Sequence, residues 1–182
     1  AIAFETIVAA GPSSAVPHHR PTDTVLAAGD FVKIDFGAVV DGYHSDMTRS
    51  FVIGEPTARQ KEIYDLVLTA HLAGVAAVAA GVPARDVDAA CRALVTDAGY
   101  ADWYLHSAGH GVGLQIHEDP FEAPTSTAIL RVGDVVTVEP GLYRVGLGGF
   151  RVEDLVEVTA SGARALTTSP KDTPCLPSPP TT

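Results

Sequence analysis

Four acids fall into two pairs. Asp35 and Asp46 lie in the β-rich stretch FVKIDFGAVVDGYHSDMTRSF (31–51), and Glu139 and Glu153 lie in VVTVEPGLYRVGLGGFRVEDLVEV (135–158). Asp41-Gly42 is a hairpin-turn signal. A hairpin turning there pairs Val40 with Tyr43 and Asp35 with Thr48. Asp46 then sits diagonal to Asp35 on the same face, about 7–8 Å away at the backbone. Glu139 and Glu153 are symmetric about Gly146, so a hairpin through VGLGG sets them opposite each other. Four converging carboxylates repel one another unless they take up protons or hold a cation. With one neutral imidazole they make a five-ligand, oxygen-rich set. Such a set suits Mn²⁺, Co²⁺, Fe²⁺ or Zn²⁺ in a two-metal site and excludes a thiolate zinc site. Two metals about 3.5–4 Å apart generate a hydroxide nucleophile and polarise a carbonyl.

Imidazoles are at hand in HSAGHGVGLQIHE (106–118), which holds three of the seven histidines and three glycines. By spacing alone, His106, His110 and His117 are either groups aimed at one point or incidental side chains on a glycine-rich loop.

The elements that must carry these residues are legible in outline. LAAGDFVKIDFG (26–37) and LRVGDVVTVEPG (130–141) repeat Leu, Gly-Asp, Val, an aliphatic, an acid and Gly at one offset, which places Asp35 and Glu139 at equivalent positions. Between the copies, Thr57 and Gln60 have capping-box spacing for a helix running to about Ala80, where Gly81 stops it. Pro83 opens a second helix, whose apolar positions Val87, Ala90, Cys91, Leu94, Val95 and Ala98 recur at helical spacing up to Gly99. YLHSA, VVTVE and FRVEDLVEV read as strands. The first copy is preceded by 25 residues of mostly loop-like sequence and no comparable helix pair. The sequence therefore predicts that a first helix pair is missing and that this chain is part of a longer polypeptide. SPKDTPCLPSPPTT, with five prolines and little to bury, predicts a flexible tail over 169–182 behind a catalytic domain over 1–168.

Composition narrows the class. Twelve Lys+Arg against 22 Asp+Glu give a net charge of −10, which argues against nucleic acid or an anionic membrane as partner. Two cysteines, Cys91 expected to be buried and Cys175 in the tail, make no disulfide framework and fit a cytoplasmic protein. No apolar run reaches transmembrane length.

GPSSAVPHHRP, GDFVKIDFGAVVDGYHSDMTRSF, HSAGHGVGLQIHE, GDVVTVEPGLY and FRVEDLVEVT, in that order and within about 8–168, resemble the catalytic domain of the metallopeptidase family of Xaa-Pro aminopeptidases, prolidases and methionine aminopeptidases. The resemblance implies an α+β pita-bread (creatinase/aminopeptidase-like) fold, a pseudo-twofold curved antiparallel sheet with covering helices. It implies two divalent ions, Mn²⁺ first among them, on Asp35, Asp46, His110, Glu139 and Glu153. Of these, Asp46 and Glu153 would bridge. His18 matches a histidine lining the substrate pocket, and His19 has no match. His106 and His117 match histidines that support the site or bind substrate. Glu139 would also carry the proton to the leaving nitrogen. Arg151 matches an arginine supporting the site in proline-specific members, and Thr48 is placed to bond a ligand carboxylate. His44 and His71 match nothing and read as an exposed turn residue and a helix-face residue.

RVEDLVEVT and the short spacing from Glu139 to Glu153 resemble prolidases and Xaa-Pro aminopeptidases more than methionine aminopeptidases. The resemblance thus implies a proline-containing peptide substrate, a homodimer and an N-terminal domain outside this chain. The competing readings are a metal-free creatinase-like C–N hydrolase and a non-catalytic binding module on the same fold. All five ligand positions hold ligating residues, which weighs against both.

Overall fold

Both hairpins form, and each keeps one register along its length. The computed structural model describes residues 1–175. β1 (Ile7–Ala10) pairs antiparallel with β2 (Phe31–Phe36). The chain continues through the two-residue strands β3 (Val39–Val40) and β4 (Tyr43–His44) and returns beside β2 as β5 (Met47–Val52). Asp41 and Gly42 both take positive φ, 51° and 87°, the geometry of a tight hairpin turn. Val40 faces Tyr43 and Asp35 faces Thr48, as the turn position demands.

Thr57 caps α1 (Ala58–Ala77): its hydroxyl accepts from the Gln60 amide at 3.2 Å, and the Gln60 side chain accepts from the Thr57 amide at 2.9 Å. α1 ends at Ala77, three residues short of the expected Ala80. α2 (Ala84–Asp97) follows Pro83. The rest of the chain forms β6 (Gly109–Gly111), β7 (Glu118–Glu122), β8 (Val135–Val138), β9 (Gly141–Arg144), β10 (Gly148–Arg151), β11 (Asp154–Thr159) and β12 (Gly162–Ala165). One sheet has the order β12-β11-β8-β6-β7, and β9 and β10 form the tip of the second hairpin. Val138 opposite Asp154 and Gly141 opposite Arg151 belong to a single register, which sets Glu139 across from Glu153 where the ladder breaks.

The two halves meet along β5 and the strand from β10 into β11. The Glu153 amide donates to the Thr48 carbonyl at 3.2 Å. The Ser50 hydroxyl donates to the Arg151 carbonyl and accepts from its amide, at 2.8 and 3.0 Å. Beneath this seam the Phe150 ring meets Phe31 and Tyr64 edge-on at 4.4 and 5.4 Å. α1 and α2 close the core with Val67, Val87 and buried Cys91 against Val136, Val138 and Val156. The expected α+β organisation of antiparallel strands with covering helices is present. No α-helix precedes β2 among the described residues.

Three expectations need correction. YLHSA is not a strand: Tyr104 is buried beneath the Arg92 guanidinium, and the backbone meets a neighbouring strand at Ala108, whose amide donates to both Asp88 and the Glu122 carbonyl, each at 3.0 Å. His44, expected to be exposed, is half-buried, with its amide on the Gly113 carbonyl; His71 lies on α1 and is wholly buried. The stretch from Ser169 is fastened at its start. Its carbonyls at Ser169, Lys171 and Pro174 accept from Arg49, Tyr64 and the Val52 amide, and Cys175 bridges to Val52. The remainder of the expected tail, 176–182, lies outside the described residues.

Candidate metal centre

The break in each hairpin brings its acids to one place. Asp35, Asp46, His110, Glu139 and Glu153 all line one cavity of about 320 Å³, together with His18, His19, His117, Ile116 and Arg151. Asp46, His110 and Glu153 each offer a ligand atom, and these lie within 4.8 Å of one another. The His110 Nε2 is 3.3 Å from Glu139 and 3.7 Å from Asp46. Its Nδ1 lies 3.0 Å from the Gly111 carbonyl, a contact that orients the ring with Nε2 toward the acids.

β6 delivers His110 because its glycines let strands close in. A Cβ on Gly109 would sit 2.1 Å from the Thr137 carbonyl, and one on Gly111 2.5 Å from the Asp119 carbonyl. The glycines of this segment therefore serve backbone-to-backbone approach.

The electrostatics are those of acids gathered to hold a cation. Asp46 is buried beside Asp35 and Glu139, and its carboxyl is pushed from 3.8 up to about 9. Burial, then Asp46 and Glu139, raise Glu153 well above the usual carboxylate range. Burial keeps His110 below its ordinary value, hence neutral and able to ligate. Asp35 Oδ1 and Asp46 Oδ1 are buried with no hydrogen-bond partner. Buried carboxylate oxygens are rarely left so, and divalent ions would satisfy both. The donor set therefore fits two such ions.

Arg151, fully buried, is the hub behind the acids. It bonds Asp35 through Nη2, the Thr48 hydroxyl through Nε at 2.9 Å, and the Tyr143 hydroxyl through Nη1 at 3.2 Å. Thr48 in turn donates to Glu153 at 2.6 Å. The expected supporting roles of Arg151 and Thr48 thus have matching contacts.

The histidines separate. His117 lines the cavity with its ring 4.4 Å from that of His110, edge to face. His18 and the unmatched His19 both reach the wall. His106 does not line it. Its Nε2 meets the Tyr143 hydroxyl at 2.8 Å, so it touches the site only through Tyr143 and Arg151. Of the two roles the resemblance implies, these contacts suit supporting the site rather than binding substrate.

The sequence reading missed a buried charge cluster under Glu153. Asp154 binds Arg49 at 2.6 Å, His71 at 3.0 Å and Lys171 at 2.7 Å. Burial alone would raise this carboxyl, but these donors hold it well below the usual range. Arg49 also caps the Glu153 carbonyl. The only sequence signal was an acid doublet, Glu153-Asp154, inside an apolar strand.

With this geometry in hand, similarity to known proteins is informative. The profile of metallopeptidase family M24 matches residues 1–160. An Xaa-Pro dipeptidase of Pyrococcus furiosus is 44% identical over 170 residues, 93% of this chain and 49% of the relative. Among solved structures, the Xaa-Pro dipeptidase from Bacillus anthracis superposes with a TM-score of 0.94 at 46% identity, covering 97% of this chain and 50% of that one. X-Pro aminopeptidase from Thermotoga maritima gives 0.92 at 39%, covering 96% and 49%. The chain spans about half the length of the curated relatives it matches.

Proposed function

This chain belongs to metallopeptidase family M24, and from that premise we propose that it is the catalytic unit, residues 1–168, of a dinuclear peptidase that cleaves the Xaa-Pro bond of dipeptides or at peptide N-termini. The observation that carries this reading is the convergence of four carboxylates and one neutral imidazole, two of their oxygens buried and unpaired, in an open cavity. Asp35, Asp46, His110, Glu139 and Glu153 would hold the ions. Mn²⁺ is the first choice, because oxygen donors with a single nitrogen suit it. Once bound, the ions supply Lewis acidity at the scissile carbonyl and lower the pKa of water.

The chain's own groups do the rest. Glu139, half-buried on the cavity wall, takes the proton of the attacking water and delivers it to the proline nitrogen. That nitrogen is tertiary and leaves poorly unless protonated. His117 and His18, on the same wall, donate to the oxygen that gains charge in the transition state. Arg151 holds Asp35 and, through Thr48, Glu153. Two free thiols suit a reducing cytoplasm, and no helix among the described residues is long and apolar enough to cross a membrane. Family resemblance supports a homodimer and a covering N-terminal segment.

Full-length protein, stripped of metal and reloaded with Mn²⁺, should release proline from Ala-Pro or cleave Ala-Pro-Ala, and chelator should stop it. Turnover that survives chelation would favour a metal-free hydrolase. Metal binding with neither peptide cleaved would favour a binding module. Glu139→Gln should abolish turnover while the melting temperature is retained, and an active variant would refute the proton-carrying role.

A further inference from the structure

Lys33 is fully buried on β2, two residues before Asp35. The buried ion pairs involve Arg49, Arg151 and Lys171, and Lys33 joins none of them. Its ammonium instead meets three backbone carbonyls, of Ser14 at 3.3 Å, Val16 at 2.8 Å and Pro17 at 3.0 Å. A buried cation is costly unless its hydrogens are all bonded, and here three donors meet three acceptors. All three acceptors lie just ahead of His18.

The upstream end of this loop is fastened separately, by the Ser14 hydroxyl accepting from the Gly149 amide at 2.8 Å. Beyond Pro17 the chain is exposed from His18 to Gly29, apart from half-buried His19. The next backbone anchor to the body is the Gly29 amide on the Ile53 carbonyl. Lys33 is therefore the last fastening before His18, and it springs from the strand that carries Asp35.

We propose that Lys33 is a positioning residue whose three carbonyl bonds hold His18 at the cavity wall in register with the metal-binding strand. The inference rests on the Xaa-Pro peptidase reading for its kinetic consequence and on the contacts alone for its structural one. In full-length protein, Lys33→Met should lower kcat/KM for Ala-Pro about tenfold or more, as expected for a displaced group. Mn²⁺ content should not change. His18→Ala should give a comparable loss, and the double variant should be no worse than His18→Ala, because Lys33 acts through His18.

Hydrogen exchange supplies the readout that needs no activity. Amides of residues 13–20 should exchange about tenfold faster in Lys33→Met, while those of β8 and β11 keep their protection. If Lys33→Met does not fold, Lys33→Gln, which keeps two donor hydrogens, should show intermediate exchange. Losses that multiply in the double variant, or unchanged exchange over 13–20, overturn the clamp. Inactive wild-type protein with faster exchange in the variant would instead fault the functional reading and leave the clamp standing.

Discussion

His110 and His117 stand ring against ring, yet their contacts assign them different work. His110 points Nε2 at Glu139 and Asp46 from a buried strand, whereas His117 lines the cavity without touching an acid among the described contacts. His110→Ala should lose metal affinity by about 100-fold or more, beyond what an outer partner costs. His117→Ala should keep its metal and lose about 10²–10³ in kcat, the usual cost of one donor to a developing oxyanion. Metal content and kcat on the two purified variants check the contrast. At this scale the acids were legible because the repeat and the turn fixed their register. Which of its two implied roles His106 fills was not legible, because spacing along the chain does not reveal that Tyr143 stands between it and the site. Lys33 and Asp154 carried only the faint sign of a charge on a strand's inward face, since their partners are backbone carbonyls or distant side chains.

Elements differ in how tightly they bear on the site. α1 is set by its capping box and covers the core at a distance from the acids. Thr57→Ala should cost about 1 kcal/mol of stability and leave metal affinity unchanged. β6 is held where side-chain volume is forbidden, with a Gly109 Cβ placed 2.1 Å from the Thr137 carbonyl. Gly109→Ala should cost about 1–3 kcal/mol and weaken metal binding as well, because the displaced strand carries His110. Denaturant melts with and without Mn²⁺ separate the two cases. Both hairpins and both helices were readable from turn chemistry, caps and periodicity. The Tyr104–Ser107 segment was not, because Tyr104 answers to Arg92 on α2 and the chain joins a neighbouring strand at the Ala108 amide, which donates to the Glu122 carbonyl.

Across the whole molecule, the proposed ligand set predicts that protonation of the acids couples folding to metal binding. Asp46, held at about 9 in the folded chain, and Glu153, also raised, bind protons that the unfolded chain has released well below neutral pH. Their contribution to stability is full in acid and is lost as pH rises toward 9. Lys33, lowered to about 7, works in the opposite sense over this range, and buried Glu122 in the same sense as the acids. Neither is among the proposed ligands, so neither has to give up its proton to an incoming ion. The gap in melting temperature between loaded and stripped full-length protein should widen from pH 7 to pH 9, and a constant or shrinking gap would contradict the coupling. The fold class was legible because several motifs recur in order along nearly the whole chain. The docking of Ser169–Cys175 was not, because composition counts side chains while this segment binds mainly through its carbonyls.

The most direct test of the central claim is a calorimetric titration of stripped, full-length protein with Mn²⁺ near pH 7, repeated in buffers of different ionisation heat. Two ions bound per chain, with net proton release as the acids give up their protons, is the result the convergence of Asp35, Asp46, His110, Glu139 and Glu153 predicts. Saturation below one ion per chain, or binding with no proton displaced, would contradict a dinuclear carboxylate centre.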